Sequence, residues 1–242
     1  MPAFAAEAGS DEVVQYAVIS SLVAGVYDSD ATFDWVKKNG DFGIGTFNGV
    51  DGEMLAFDGH FYQIKSDGKA YEVNDAQHSP FFTLTSFVPD KKEKLPSGLT
   101  YAAMPKIIES GFPSLNYIYA IRIDGMFDQV RARSVSAQKK PYKKLSDVAK
   151  TQSIFDLKQV EGTMVGYWFP AYASGVNVPG FHLHFLTKDK KAGGHVLEFT
   201  TRDATLQRET KTSLRMILPE DEAFQKTDFS QIKSYDINRV EK

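Results

Sequence analysis

The order of apolar and polar positions predicts many short strands and few helices. Residues 13–26 (VVQYAVISSLVAGV) are almost wholly apolar, and helix-like spacing in their second part predicts a strand that runs into a helix. A short helix is predicted from Thr32 to Lys38, with a stop at Asn39-Gly40. Asn-Gly and Asp-Gly steps, which favour tight hairpin turns, then separate three strand-like runs at 42–47, 53–57 and 61–65. This part of the chain is predicted to form a meander of antiparallel strands.

The same pattern continues to the C-terminus. Residues 81–88 predict a strand, 89–96 a charged connection bounded by prolines, and 101–110 a helix. The runs on either side of Gly125 predict two paired strands, at 117–124 and 126–135. Further strands are predicted at 153–157, 161–169, 180–187, 194–201 and 212–218. The result is an α+β fold with two β-rich halves, largely antiparallel or mixed sheets and a few helices.

A polar, basic stretch at 136–144, broken by Pro141, predicts the boundary between the two halves. We therefore expect three parts: a flexible N-terminus (1–12), an N-terminal α/β sheet domain (13–144) and a C-terminal antiparallel β domain (145–242).

Composition narrows the classes of function. The 242 residues carry a net charge of -3 and no long basic run, so the electrostatic footprint of a nucleic-acid-binding protein is missing. No apolar stretch approaches the length of a membrane span. The absence of cysteine excludes thiol nucleophiles, Cys-ligated zinc and iron–sulfur clusters. A small-molecule partner and a cytoplasmic location are expected, with secretion as the alternative if residues 1–10 are the remnant of a signal peptide.

Three of the five histidines lie in one short segment. His182 and His184 are two residues apart on a predicted strand and so point to the same face. A hairpin centred between Asp189 and Lys190 would place His195 directly opposite His184. Three converging imidazoles are a common arrangement for catalytic Zn²⁺ and also suit Fe, Ni, Cu or Co. The predicted feature is a metal-binding β-hairpin in the C-terminal half.

Other interpretations of the histidines stay open at this point. A His-x-His strand also occurs in cupin oxygenases, but there a Glu follows within a few residues, and here the next Glu is Glu198. The alternatives are a cupin-like metal-dependent oxygenase or isomerase, and a non-catalytic β-rich binding module with structural histidines. His60 and His78 lie in turns without a neighbour at ligand spacing and are predicted to be surface residues.

Several blocks, in order along most of the chain, resemble the α-acetolactate decarboxylase family. They are GDFGIGTFN (40–48), DGEMLAFDG (51–59), FYQ (61–63), AIRIDG (120–125), VRARSV (130–135), GVNVPGFHLHF (175–185) and GGHVLE (193–198). Two departures from the family pattern occur, at 134–138 (SVSAQ) and at His60, and neither touches a residue that the resemblance assigns to the metal.

The resemblance implies a zinc-dependent lyase in acetoin and butanediol biosynthesis. Such an enzyme converts 2-acetolactate (2-hydroxy-2-methyl-3-oxobutanoate) to acetoin and CO₂ through a metal-stabilised enediolate, with one zinc ion per chain and no organic cofactor. It also implies a homodimer, and a C-terminal tail that returns to the site.

The resemblance also assigns roles to individual residues. His182, His184 and His195 match the zinc ligands, and Thr46 matches a residue that lines the substrate pocket. Arg133 matches an arginine for which we predict a role in holding the leaving carboxylate and the charge of the enediolate.

Two carboxylates complete the predicted site. Glu53 matches the Glu of the Asp-Gly-Glu block and is predicted to be the proton donor, while Glu241, on the C-terminal tail, has a supporting or relay role. Asp236 is a less well placed alternative to Glu241. Glu198, Asn177 and backbone carbonyls are candidates for orienting the histidine ligands.

Overall fold

A computed structural model describes residues 11–233 and 236–237 of the chain. Twelve strands are present: β1 (Glu12–Tyr16), β2 (Phe42–Thr46), β3 (Glu53–Phe57), β4 (His60–Ile64), β5 (Ala70–Glu72), β6 (Phe82–Thr85), β7 (Lys91–Lys94), β8 (Ile118–Ser134), β9 (Ser153–Phe169), β10 (Gly180–Thr187), β11 (Gly193–Lys211) and β12 (Ser213–Ile217). Within residues 11–233 there are five short α-helices, four of them between strands and the fifth after β12: α1 (Ile19–Ala24), α2 (Phe33–Val36), α3 (Met104–Glu109), α4 (Leu145–Val148) and α5 (Glu222–Lys226). Among the described residues no helix has the length and apolar character needed to cross a membrane.

The strands form two sheets, and this confirms the predicted α+β class. The first sheet has seven strands in the order β12-β1-β6-β2-β3-β4-β5, and only the β1–β12 pair is parallel. The second has five strands in the order β10-β9-β8-β11-β7. Strand β10 is bonded to β9 on one side and to β11 on the other. The predicted meander is confirmed by β2, β3, β4 and β5, which pair in succession.

A shared apolar layer holds the two sheets together. It joins Val13, Phe42 and Leu55 of the first sheet to Ile118 and Val165 of the second. A second cluster covers the other side of the first sheet with α1 and α2, and a third packs α3 against the second sheet. The sheets are therefore fixed face to face, so residues on facing strands keep a constant separation.

Two sequence-based predictions about strands 7 and 8 are wrong. The two strands predicted around Gly125 are one 17-residue strand, β8, which pairs with β9 on one side and β11 on the other. Gly125 does not form a turn there; a Cβ at this position would lie 2.2 Å from the Asp203 carbonyl oxygen, so glycine permits the close approach of β11. The charged connection at 89–96 contains the edge strand β7, whose lysines are exposed, as is common for edge strands.

Two long strands, β9 and β11, also extend beyond the strand segments that the apolar pattern predicts. Strand β9 runs without interruption through the two predicted segments at 153–157 and 161–169, and β11 extends well beyond residue 201. Each sheet takes strands from both sides of residue 144, since β12 joins the first sheet and β7 and β8 join the second. A division into domains at residue 144 stays a prediction.

Candidate metal centre

The three histidines meet on the β10–β11 hairpin. His184 pairs directly with His195, which confirms the predicted register. His182 lies two residues before His184, on the same face of β10. Their ring centroids are 4.9–5.4 Å apart, and one nitrogen from each ring lies within 4.8 Å of the other two. All three side chains are buried.

A backbone carbonyl sets the tautomer of one imidazole. His184 Nδ1 lies 2.8 Å from the carbonyl oxygen of Met54 on β3. Because a carbonyl only accepts hydrogen bonds, Nδ1 carries the proton and the lone pair of the ring is on Nε2. This is the usual way in which a protein orients a metal-binding histidine.

Burial keeps two of the imidazoles, those of His182 and His184, neutral. Burial, and then the charges of His184 and Arg133, lower the pKa of His182 well below its usual value. Burial likewise lowers the pKa of His184 to about 3. Metal ions bind the neutral form of imidazole, so three buried rings with converging nitrogens, two of them with lowered pKa values, fit a divalent transition metal ion such as zinc.

The first sheet supplies a carboxylate to this cluster. Glu53 begins β3 and is nearly buried, and its Oε2 lies 3.4 Å from His184 Nε2. Thr46, at the end of β2, pairs with Glu53 across the hairpin and is also buried. Its hydroxyl donates to the Gly52 carbonyl at 2.7 Å, which ties the β2–β3 turn to the strand end.

A buried arginine lies beside the histidines on the second sheet. Arg133, near the end of β8, pairs with His195 across the β8–β11 ladder and is 6% exposed. Its Nη1 donates to Gln152 Oε1 at 2.8 Å. Strands β2, β3, β8, β10 and β11 thus bring Thr46, Glu53 and Arg133 close to the three histidines.

Most of these residues line one cavity, which is partly open to solvent; His195 is not among the residues that line it. Thr46, Glu53, Arg133, His182 and His184 form its polar side. The rest of the wall is mainly apolar and includes Ile19, Leu22, Val50, Phe81, Val135 and Leu145. The cavity therefore brings two of the three histidines, a cation and a carboxylate against a mainly apolar wall.

One described residue near the C-terminus, Ile237, lies in this region. Ile237 is 1% exposed and packs in the apolar cluster that contains most of the cavity's apolar wall. Asp236 accepts a hydrogen bond from the Lys233 backbone N–H at 2.9 Å. Glu241 lies outside the described residues.

Other sequence-based candidates are located elsewhere. Asn177 is buried and bonds Gln15 and Thr83, so it braces the chain before β10. Glu198 and His60 are exposed, and His78 is half-buried.

Sequence reasoning missed the Met54 carbonyl, Gln152 and the apolar wall of the cavity. A backbone carbonyl has no residue-type signal, and Gln152 lies in a short polar segment before β9 that carries no motif. The wall residues come from separate elements that only the packing unites.

Comparison with known proteins identifies the family of the chain. A family model described as alpha-acetolactate decarboxylase matches residues 13–231. The chain is 42% identical over 221 residues to the alpha-acetolactate decarboxylase of Bacillus licheniformis, covering 91% of this chain and 87% of that protein. It is 43% identical over 230 residues to the alpha-acetolactate decarboxylase of Methylococcus capsulatus, which covers 95% of this chain and 88% of that protein.

Solved structures show the same fold. The crystal structure of alpha-acetolactate decarboxylase from Bacillus subtilis strain 168 superposes with a TM-score of 0.93 at 41% identity, covering 95% of this chain and 99% of that one. A Staphylococcus aureus protein, described as of unknown function and similar to alpha-acetolactate decarboxylase, superposes with a TM-score of 0.91 at 28% identity. The match covers 95% of this chain and 100% of that one. The chain belongs to the alpha-acetolactate decarboxylase family.

Proposed function

We propose that the protein catalyses the decarboxylation of 2-acetolactate to acetoin and CO₂, with one zinc ion held by His182, His184 and His195. The observation that carries the proposal is the buried three-histidine cluster, two members of which line one cavity with Glu53 and Arg133, in a chain of this family. We further propose that it needs no organic cofactor and acts as a homodimer in the cytoplasm.

The reaction breaks the bond between the hydroxyl-bearing carbon and the carboxylate. The electron pair of this bond moves toward the adjacent ketone, and CO₂ leaves an enediolate. When bound, zinc supplies a Lewis acid that polarises the ketone and stabilises the negative charge that develops on oxygen. Carboxylate binding and proton donation are proposed for side chains of this chain.

Arg133 provides the recognition of the carboxylate. A guanidinium presents a planar fork of donors that matches a carboxylate in two hydrogen bonds. In a buried position such a charge-assisted contact is stronger than in water, because the local dielectric is low. The apolar wall of the cavity favours loss of CO₂, since the neutral product is better solvated there than the carboxylate is.

Glu53 is proposed as the proton donor. One proton must be added to the carbon that lost CO₂, and delivery from one side gives a single enantiomer of acetoin. Glu53 reaches within 3.4 Å of His184 Nε2 and lines the cavity, so it is next to the reacting atoms. Thr46 lines the substrate side of the same cavity. Glu241 is proposed to support the proton transfer from the returning C-terminal tail.

The direct test is acetoin formation from racemic 2-acetolactate before and after metal removal. We expect activity to be lost with a chelator and to return with added Zn²⁺. Acetoin formation no faster than the spontaneous reaction in the metal-replete protein would refute the proposal. Iron dependence with consumption of O₂ would instead favour an oxygenase, and indifference to the chelator a binding module.

A pair of histidine variants links the metal to the site. His195→Gln should lose zinc and activity together, because it removes one of three ligands. His60→Gln is the matched control, since His60 is exposed and belongs to the adjoining sheet. Equal zinc content in both variants would contradict the assignment of the ligand set.

A further inference from the structure

Gln152 contacts the arginine of the site from a segment outside the family motifs quoted above. It is half-buried and follows the turn at Ala149–Thr151, immediately before β9. Its side-chain oxygen accepts a hydrogen bond from Arg133 Nη1 at 2.8 Å. This is a charge-assisted hydrogen bond to a half-buried acceptor, a type that is stronger than one between neutral groups.

Sheet register explains why these two side chains meet. Arg133 on β8 pairs with Ile154 on β9. Gln152 lies two residues before Ile154 and is therefore the diagonal neighbour of Arg133 on the same face, within reach of a long side chain. Apolar contacts anchor the segment, since Leu145 and Val148 of α4 belong to the cluster around the cavity. Gln152 thus connects Arg133 to a fixed part of the cavity wall.

The chemistry of the acceptor also matters. A glutamine oxygen orients the guanidinium as a carboxylate would, but it adds no negative charge next to it. The charge of Arg133 then stays available for an anionic substrate group.

We propose that Gln152 is a positioning residue, which holds the Arg133 guanidinium in the orientation that binds the substrate carboxylate and places no negative charge beside it. This inference rests on the proposed function, because it concerns the group that Arg133 binds there. Gln152 itself need not touch the substrate.

The experiment measures ligand binding by the zinc-loaded protein with two probes. The first is 2-hydroxy-2-methylpropanoate, which has the hydroxyl and carboxylate of the substrate but no ketone and so cannot react. The second is acetoin, which lacks the carboxylate. Calorimetry gives the dissociation constants for wild type, Gln152→Leu and Gln152→Glu.

We expect Gln152→Leu to weaken binding of the carboxylate probe by about tenfold, the size of one charge-assisted hydrogen bond, with no change for acetoin. Gln152→Glu should weaken it as well, although it keeps an acceptor, because its carboxylate competes for Arg133. A purely structural role predicts instead that Gln152→Leu weakens the binding of both probes to the same extent. Catalysis should change in parallel with probe binding: we expect kcat/KM for acetolactate to fall by about tenfold in Gln152→Leu.

Thr151→Val is the matched control. It removes the neighbouring hydrogen bond from Thr151 Oγ1 to the Val148 carbonyl in the same turn and touches no residue of the site. Unchanged carboxylate binding in both Gln152 variants, or no binding of the carboxylate probe by wild type, would overturn the inference. Absence of acetoin formation by wild type would refute the proposed function, whereas the binding comparison does not depend on turnover and still decides the role of Gln152.

Discussion

At the scale of single residues, the site combines buried imidazoles with one basic and one acidic side chain. The three histidines are buried, the pKa values of His182 and His184 are lowered, and a carboxylate oxygen of Glu53 lies 3.4 Å from His184 Nε2. The low dielectric of the cavity makes each of these charges effective at short range. Small changes in one side chain are therefore expected to affect chemistry more than stability.

Glu53→Gln tests the proton donor. The amide is nearly the same shape but cannot supply the proton, so we expect kcat to fall by about 10²–10⁴-fold while zinc content is unchanged. Steady-state kinetics with metal analysis checks both quantities. Glu198→Gln, at an exposed position on β11, should keep wild-type kinetics. If Glu53→Gln kept the rate of the parent enzyme, the acid would have to be sought elsewhere.

At the scale of elements, the close approach of β9 to β10 holds the histidine strand in place. Gly166 on β9 pairs with Leu183, and a Cβ at this position would lie 1.9 Å from the His182 carbonyl oxygen. Only glycine allows the two strands to keep this separation next to the ligands.

Gly166→Ala tests this close approach. The added methyl group must displace β10, so we expect a loss of at least about 2 kcal/mol in unfolding free energy, equivalent to about 4–8 °C in melting temperature. Zinc affinity should fall as well, because His182 moves with its backbone. Gly111→Ala is the control, since a Cβ there has its nearest neighbour at 3.4 Å. Similar melting temperatures for the two variants would contradict the steric argument.

At the scale of the whole molecule, the site exists because two sheets meet. Glu53 and Thr46 come from the first sheet, and the histidines and Arg133 come from the second. The connection at 136–144 leaves β8 and packs back on the apolar cluster beneath the first sheet, where the Tyr142 ring contacts Tyr27 with centroids 5.1 Å apart. The Tyr142 hydroxyl donates a hydrogen bond to Asp28 Oδ1 at 2.9 Å.

Alkaline unfolding reports on this connection. Burial, and then the hydrogen bond to Asp28, raise the pKa of Tyr142 from 10.0 to about 12. Because the folded-state pKa is the higher one, the contribution of Tyr142 to stability is complete below pH 10 and is lost as the pH rises through 12. The difference in unfolding free energy between wild type and Tyr142→Phe should therefore shrink between these two pH values. Denaturant titrations at several pH values measure it, and a constant difference would refute the assignment.

The sequence by itself determined the local features of this protein. Gly-punctuated runs predicted the meander, and residue spacing predicted the hairpin that sets His184 opposite His195, because strand periodicity and turn position are local properties. The motif blocks predicted the family, and the family model confirms it.

Tertiary structure decided what depends on contacts between distant segments. Strand length was one such property: Gly125 resembles a turn in the sequence, whereas packing against β11 makes it part of a continuous strand. The Met54 carbonyl on His184, the Gln152 contact to Arg133 and the apolar wall of the cavity were others. Each joins residues that are distant in sequence or lack a residue-type signal, and each is fixed by the apolar layers that set how the two sheets and their connections pack.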